Sequence, residues 1–506
     1  MKSRLFLCNG AATPPGLPAD AVRGTITLNT NGPSANVNLK IEDVARAFKR
    51  DLSPRLLDFL EIAAYVYAGD ASTARGAGWK DDHTFEPWDR SMHFVIAVRD
   101  VAFWQQEKVR ELLRTTLAFL SNDEYLFEFV HLADTIGRQM YLDFGTSEEW
   151  PFSKVDRVLM FSGGLDSLAG AVETAAAGQN LVLVSHRSVS TLSSRQVDLS
   201  ERLRKTLKVP MIHIPVWVNK DERLGREYTQ RTRSFLFCAL GTVIAESVSA
   251  AGVRFFENGI VSMNLPVADE VLRSRASRTT HQHALNLLST LCALVTDRNF
   301  IIDNPFLSKT KADVVALIAA HDACSLISCT CSCAHTGHFH SKSQWHCGAC
   351  SQCIDRRFAI VASGLEEHDP TTDYKTDVFI GARAEGYETN MAVDFARHGI
   401  EMHRMGEDEI ASRFNPELSR AIRHVANRRE AAKALVRIHK QHGAIVAHIL
   451  MKQLHKYAAD ILQGTLPPTS MLALVAGQKH IPSAWRRFGD RLAGLLELGI
   501  PKRLFD

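Results

Sequence analysis

From residue 154 onward the chain repeats one rhythm. A short apolar run is followed by a stretch with apolar residues at helical spacing. Val155 to Phe161, Leu181 to Ser185, Met211 to Val218, Arg254 to Glu257 and Asn299 to Asp303 read as strands. Ser167 to Ala177, Ser194 to Leu207, Arg233 to Ser249, Thr280 to Val295 and Thr310 to His321 read as the intervening helices. Short apolar strands that alternate with helices predict a mostly parallel sheet covered on both faces. Ligands of such sheets sit beyond the carboxyl ends of the strands. The first 150 residues are less regular. Val22 to Leu39 alternates around Asn31-Gly32 and reads as a β-hairpin. Leu56 to Tyr67 and Val109 to Leu120 read as helices, and His93 to Val98 as a strand. This region is expected to be an α+β scaffold or recognition unit. After about residue 391 the pattern is helical, through Pro416 to Ala426, Arg428 to Gln441, Ala444 to Gln463 and Arg486 to Leu498. The expected division is 1–150, a core at 151–322, a cysteine-rich unit at 323–365, and a helical region at 390–506.

Composition narrows the class. In 506 residues, 45% are hydrophobic and 23% charged, which excludes a fibrous or mainly disordered chain. The net charge of +3 is no nucleic-acid or membrane signature for the whole chain. The tail is different. Residues 391–506 hold 18 Lys/Arg against 11 Asp/Glu, and Ser419 to Lys456 holds nine basic residues and one acid. A solvated face is the weightier reading of that stretch, with docking of an acidic partner or RNA as the alternative. Interleaved aromatics are scarce, so base stacking on single strands is not supported. No apolar run approaches the ~20 residues of a membrane span. The patch Leu5 to Cys8 is too short for a signal-peptide core. A cytoplasmic protein with no membrane association is expected.

Seven of the ten cysteines lie between Cys324 and Cys353. Such clustering in a reducing compartment favours a metal site over a disulfide framework. Cys347, Cys350 and Cys353 stand at three-residue spacing, suited to one soft cation, and tetrahedral Zn²⁺ is the natural guest. A fourth ligand must come from upstream. Cys329, Cys331, Cys333, His335 and His346 are all available.

The strongest chemical signal is Ser162-Gly163-Gly164-Leu165-Asp166-Ser167, between an apolar strand and a helix. Backbone N–H groups at such a turn can wrap a phosphate, and two glycines permit close approach. Beside phosphates, Asp166 would have to bind Mg²⁺ or orient the loop. No Gly-Lys-Ser/Thr follows, so this is not a Walker A loop. Further along, Lys311 opens a helix in Thr310-Lys311-Ala312-Asp313 and can reach phosphates as a point charge.

The hexapeptide resembles the PP-loop of the ATP pyrophosphatases. Together with the Thr-Lys-x-acid helix start, the Cys347 to Cys353 motif and the following Arg356 and Arg357, it resembles the QueC family, the 7-cyano-7-deazaguanine synthases. The resemblance covers about residues 154 to 362. It implies a HUP-type α/β fold with a small zinc-binding subdomain. It also implies ATP, Mg²⁺ and Zn²⁺ as cofactors, and adenylation of the carboxylate of 7-carboxy-7-deazaguanine. Asp166, Lys311 and Arg233 then fall in the catalytic set, although a surface salt bridge explains Arg233 equally well. Ser162 to Ser167, with Ser185 and His186, fall in the nucleotide set; for His186 a polar side chain satisfied inside the core is the weightier alternative. The expected topology, not the resemblance, assigns Glu257, Asn258, Arg278, Thr280 and His281 to the substrate, at a strand end and a helix start beside the site. Thr330-Cys331-Ser332-Cys333 resembles the family's Thr-x-Ser-Cys segment, which favours Cys333 as the fourth zinc ligand beside Cys347, Cys350 and Cys353. The chain lacks the Tyr-Pro-Asp-Cys-like stretch of housekeeping QueC and adds long flanking regions. In this it looks like the QueC-like proteins of bacterial anti-phage operons, the QatC and CBASS type IV kinds. The partners implied are proteins of the same operon and, as one option, a second copy of the chain. Two other readings stay open: a PP-loop enzyme that modifies tRNA bases, and a nucleotide-binding assembly subunit without chemistry.

Overall fold

A computed structural model describes residues 3–39, 52–76, 78–79, 85–86, 88–132, 154–187, 190–227, 229, 231–266, 278–335 and 344–477. Its strands are β1 (Ser3–Cys8), β2 (Val22–Leu28), β3 (Val37–Leu39), β4 (Gly78–Trp79), β5 (Phe85–Glu86), β6 (Ser91–Val98), β7 (Glu124–His131), β8 (Val158–Met160), β9 (Leu181–Arg187), β10 (Met211–Lys220), β11 (Gly252–Arg254) and β12 (Ile301–Asp303). The principal sheet has the order β12-β11-β8-β9-β10-β3. Its first five strands are parallel, and β3 lies antiparallel on the edge. Along β9, Leu181 and Leu183 enter one apolar core while Val182 and Val184 enter another. Both faces are therefore buried, as the near-continuous apolar strands predicted. The helices Leu165–Ala176, Ser190–Leu207 and Lys311–Ala320 line one face, and Arg233–Ser247 and Gln282–Thr296 the other.

The chain runs outward from β8 through β9 to β10, and returns to place β11 and β12 on the other side of β8. The strand order thus reverses between β8 and β11, and in doubly wound sheets the crevice beyond the carboxyl ends at such a point is where ligands bind. The segments that follow β8, β11 and β12 meet there.

The first 130 residues depart from the expected α+β unit. Strands β2, β1, β6 and β7 form a four-stranded sheet that is parallel throughout. The apolar patch Leu5 to Cys8 is the C-terminal part of β1, and the helix Glu107–Ser121 lies in the crossover between β6 and β7. The expected β-hairpin does not form. The connection spans Asn29 to Asn36, whose side-chain Oδ1 accepts from the Asn29 N–H at 2.9 Å. Beyond this closed loop the strands part, β2 joining the first sheet and β3 the edge of the principal one.

Between the two sheets lies the 19-residue helix Pro54–Ser72, apolar nearly all round and almost wholly buried. One core runs from Phe6 and Phe94 through Phe59 and Tyr65 to Phe235 and Val184, so the first region shares its core with the principal sheet. Acidic residues on this helix are compensated. Arg99 pairs with Asp58 at 2.8 Å and Glu61 at 2.7 Å. Arg90 reaches Asp70 and Asp123, both at 2.6 Å, and Arg75 reaches Asp123 at 2.8 Å. Asp70 also accepts from the N–H and hydroxyl of Thr232, each at 3.0 Å, tying this network to the start of the helix Arg233–Ser247.

In the C-terminal region, two expected helices are one helix of 29 residues, Arg428–Lys456. Gly443 does not break it, because it is a contact point. A Cβ there would stand 2.6 Å from the backbone nitrogen of His403 on the neighbouring helix Tyr387–Arg404. The expected helix Arg486 to Leu498 lies outside the described residues. Among the described residues, no helix is long and apolar enough to cross a membrane.

Breaking a buried ion network by removing one partner typically costs about 3–5 kcal/mol. Arg90→Met is expected to lose stability in that range in urea unfolding. A loss below ~1 kcal/mol would show that the network is not what joins the two sheets.

Candidate functional site

The loop after β8 is built as its sequence suggests. Gly163 has a φ of +85°, a left-handed conformation that only glycine adopts without strain. Gly164 is the N-cap of the helix Leu165–Ala176 and offers no side-chain cap, so the first N–H groups need other acceptors. Serine hydroxyls serve. The Gly163 N–H donates to Ser167 Oγ at 3.2 Å, the Gly164 N–H to Ser162 Oγ at 3.4 Å, and the Leu165 N–H to Ser332 Oγ at 3.4 Å. These acceptors are single, neutral and long. An anion with several oxygens would satisfy the same donors better, and the positive end of the helix dipole favours it. Ser185 supports the root of the loop by donating to the Phe161 carbonyl at 2.5 Å, while His213 Nε2 lies 2.9 Å from its oxygen.

Asp166 and Lys311 meet here from positions 145 residues apart. The Lys311 ammonium is buried and contacts the Asp166 carboxylate directly. Thr310 caps the lysine's helix in a capping box with Asp313. Burial opposes the charge on Lys311, but Asp166, Asp355 and Glu257 together hold its pKa above the ordinary value. Asp166 also accepts from the backbone N–H and side-chain amide of Asn258, at 3.1 and 3.3 Å. Glu257 stands beside it, hydrogen-bonded by the Thr280 hydroxyl. Desolvation, helped by the nearby Asp166, raises the Glu257 carboxyl to about 7, against the opposing pull of Thr280 and Lys311. Asn304 fastens this corner by donating to the Glu257 carbonyl at 2.7 Å and to Ser262 at 3.0 Å. Burial likewise raises Asp355 to about 6. Its Oδ2 has no hydrogen-bond partner among the described residues. Three carboxyl groups thus surround one lysine at the switch point.

Cys333, Cys347, Cys350 and Cys353 bring their four sulfurs within 4.8 Å of one another. Cys347 and Cys353 are 3.8 Å apart. Tetrahedral Zn²⁺ with bonds of ~2.3 Å needs sulfurs about 3.8 Å apart, so the set fits that ion. Cys333, the favoured fourth ligand, takes its place. Cys331 turns instead toward the Trp345 carbonyl at 3.5 Å. The N–H groups of Ala349 and Cys350 donate to Cys347 Sγ at 3.4 and 3.2 Å, an arrangement that supports a thiolate.

Other expected site residues lie elsewhere. His186 alternates with Ser185 along β9 and points to the opposite face, edge-on to Tyr67 and Phe237. Its Nε2 is 2.7 Å from the Val218 carbonyl, and burial together with Arg233 lowers it to about 3. Arg233 accompanies it, with its guanidinium 5.0 Å from the Phe237 ring centroid. Neither residue is brought to the loop. Arg278 donates to the Phe119 carbonyl at 2.8 Å and lies over that ring. His281 caps the helix Gln282–Thr296 by accepting from the His283 N–H at 3.1 Å. Of Arg278, Thr280 and His281, Thr280 alone joins the carboxylates, beside Glu257 and Asn258. Sequence reasoning missed Asp355, Ser332 and Asn304. Asp355 carried a usable signal, since it follows Cys353 by two residues in the first turns of the helix Ser351–Ala362. Ser332 adjoins the expected ligand Cys333, but its role, like that of Asn304, is set by contacts with residues far along the chain.

No family model matches the chain, and no curated protein matches it. The fold and site define an α/β protein with a parallel sheet and a four-cysteine cluster that could bind a metal.

Two outcomes are expected. The purified chain should carry one zinc ion, and Cys350→Ser should lose it, as elemental analysis would show; undiminished zinc in the variant would exclude this cluster. The second concerns pH. The folded protein holds the Glu257 proton more tightly than the unfolded chain. Wild type should therefore lose stability relative to Glu257→Gln as pH rises from about 4.5 to about 7. Urea unfolding at several pH values would show it, and a pH-independent difference would refute it.

Proposed function

We propose that this protein is a QueC-like, ATP-dependent ligase that adenylates the carboxylate of a 7-deazaguanine, 7-carboxy-7-deazaguanine. The observation that carries this reading is the Ser162 to Ser167 loop at the sheet's switch point, with the Lys311 ammonium seated on its Asp166. The donor N–H groups of Gly163, Gly164 and Leu165 suit a pyrophosphate that gains charge as it leaves. Lys311 adds a fixed positive charge that the surrounding carboxylates keep protonated. Asp166 is the carboxylate that would hold Mg²⁺, whose role when bound is to neutralise phosphate charge.

In this reaction an oxygen of the substrate carboxylate attacks the α-phosphorus of ATP, and the bond to the β-phosphate bridging oxygen breaks. An amine then attacks the activated carbonyl carbon. AMP leaves, the amine loses a proton, and an amide results. A second round on that amide would yield a nitrile, while an amine from a partner protein would yield a protein adduct. No side-chain nucleophile is needed, so positioning and charge stabilisation do the catalysis. Glu257 is the group we assign to the heterocycle. As a carboxylate it accepts two hydrogen bonds, which matches the adjacent N–H donors of a guanine-like edge. The combination with long flanking regions favours attachment to a partner protein in anti-phage defence.

The test is pyrophosphate release from ATP with 7-carboxy-7-deazaguanine, alone and with the neighbouring operon proteins, followed by intact mass of those proteins. We expect substrate-dependent release that falls about 10²–10³-fold in Lys311→Met, a loss typical for a group that stabilises developing charge. No release under any of these conditions would sink the ligase reading. Release that required tRNA instead would favour RNA base modification.

A further inference from the structure

The metal ligands do not sit on an isolated knuckle. Cys333 ends a strap, residues 327–333, that lies against the phosphate loop. The Cys331 N–H donates to the Gly163 carbonyl at 2.8 Å, and Ser332 Oγ accepts the Leu165 N–H at 3.4 Å. The strap is held from its other side by the helix Ser351–Ala362. Arg356 on that helix is fully buried. It donates to the Ile327 carbonyl at 3.0 Å, to Thr330 Oγ1 at 2.6 Å and to Ser332 Oγ at 3.4 Å, and Asp369 holds it in place at 2.9 Å. Cys350 immediately precedes this helix and Cys353 lies in its first turn. Four sulfurs within 4.8 Å have only weak S–H hydrogen bonds to hold them together. A cation bound by all four would add metal–sulfur bonds to the hydrogen bonds by which Arg356 already joins strap and helix.

We propose that the four-cysteine metal site sets the phosphate loop, and that Ser332 is the positioning residue through which it does so. An ion on the four thiolates holds residues 331–333 against Gly163 and Leu165. This fixes the direction of the Leu165 N–H and the curvature of the turn. The same helix carries Asp355 to the Lys311 cluster, so one ion organises two sides of the crevice without touching either. Removing it loosens the loop from a distance. The coupling of metal to loop rests on hydrogen bonds alone; its consequence for nucleotide affinity rests on the function proposed above.

Hydrogen–deuterium exchange tests the coupling without any reaction. Three samples of the full chain are compared: zinc-loaded, chelator-stripped, and zinc-loaded Ser332→Ala. In the stripped protein we expect a peptide covering residues 160–168 to exchange at least about tenfold faster, while a peptide from the buried helix Pro54–Ser72 is unchanged. Ser332→Ala should keep one zinc per chain yet speed exchange of the same loop peptide several-fold. It should also weaken ATP binding about tenfold in calorimetry. Unchanged loop exchange in Ser332→Ala, or in a stripped protein whose core peptide stays protected, overturns the coupling. If stripping also exposes the core peptide, Ser332→Ala decides alone. Loop exchange that follows the metal in a protein with no affinity for ATP upholds the coupling and rejects the nucleotide reading instead.

Discussion

One ion pair organises the crevice. Lys311 opens a helix after β12, and Asp166 opens a helix after β8. An ammonium buried this deeply would be expelled or neutralised without a carboxylate in contact. The pair therefore constrains both helix starts. It places the loop glycines, the Thr310 capping box and the Glu257 to Asn258 turn around one point. Two further carboxyl groups crowd the same lysine, and burial raises both. Such a cluster is costly to hold. Its concentration at the topological switch point is where function would place that cost.

The same logic of compensated burial joins the halves of the molecule. The helix Pro54–Ser72 is enclosed between two sheets, and its acids survive there because Arg75, Arg90 and Arg99 reach them. Thr232 then ties Asp70 to the helix that carries Arg233. His186 and Arg233 belong to this joint and not to the crevice. A residue at a strand end looks functional in a linear reading, yet strand alternation sends Ser185 and His186 to opposite faces. One face holds the loop, and the other holds the N-terminal helix.

The cysteine cluster adds a third constraint. Its sulfurs come from a strap that touches the loop, from the turn Cys347 to Cys350, and from the helix that follows this turn and carries Asp355 and Arg356. The cluster is therefore within two residues of groups that face the crevice on both sides. A metal site described only by its four ligands would omit this connection.

Much of this was legible in the residues. The period of the apolar positions determined the alternating strands and helices from 154 to 322. The Gly-Gly turn, the Thr-Lys-Ala-Asp helix start and the spacing of Cys347, Cys350 and Cys353 are local features whose geometry needs no distant partner. What the sequence could not decide is what depends on partners far along the chain. Asn31-Gly32 signals a turn, but only the available sheet edges send β2 and β3 apart. Gly443 signals a break, but a neighbouring helix uses it as a contact. Thr280, Asn304, Ser332 and Asp355 acquire their roles from groups tens or hundreds of residues away. Periodicity and spacing are written in neighbouring residues, whereas charge compensation and hydrogen-bond closure exist only once the chain has folded back on itself.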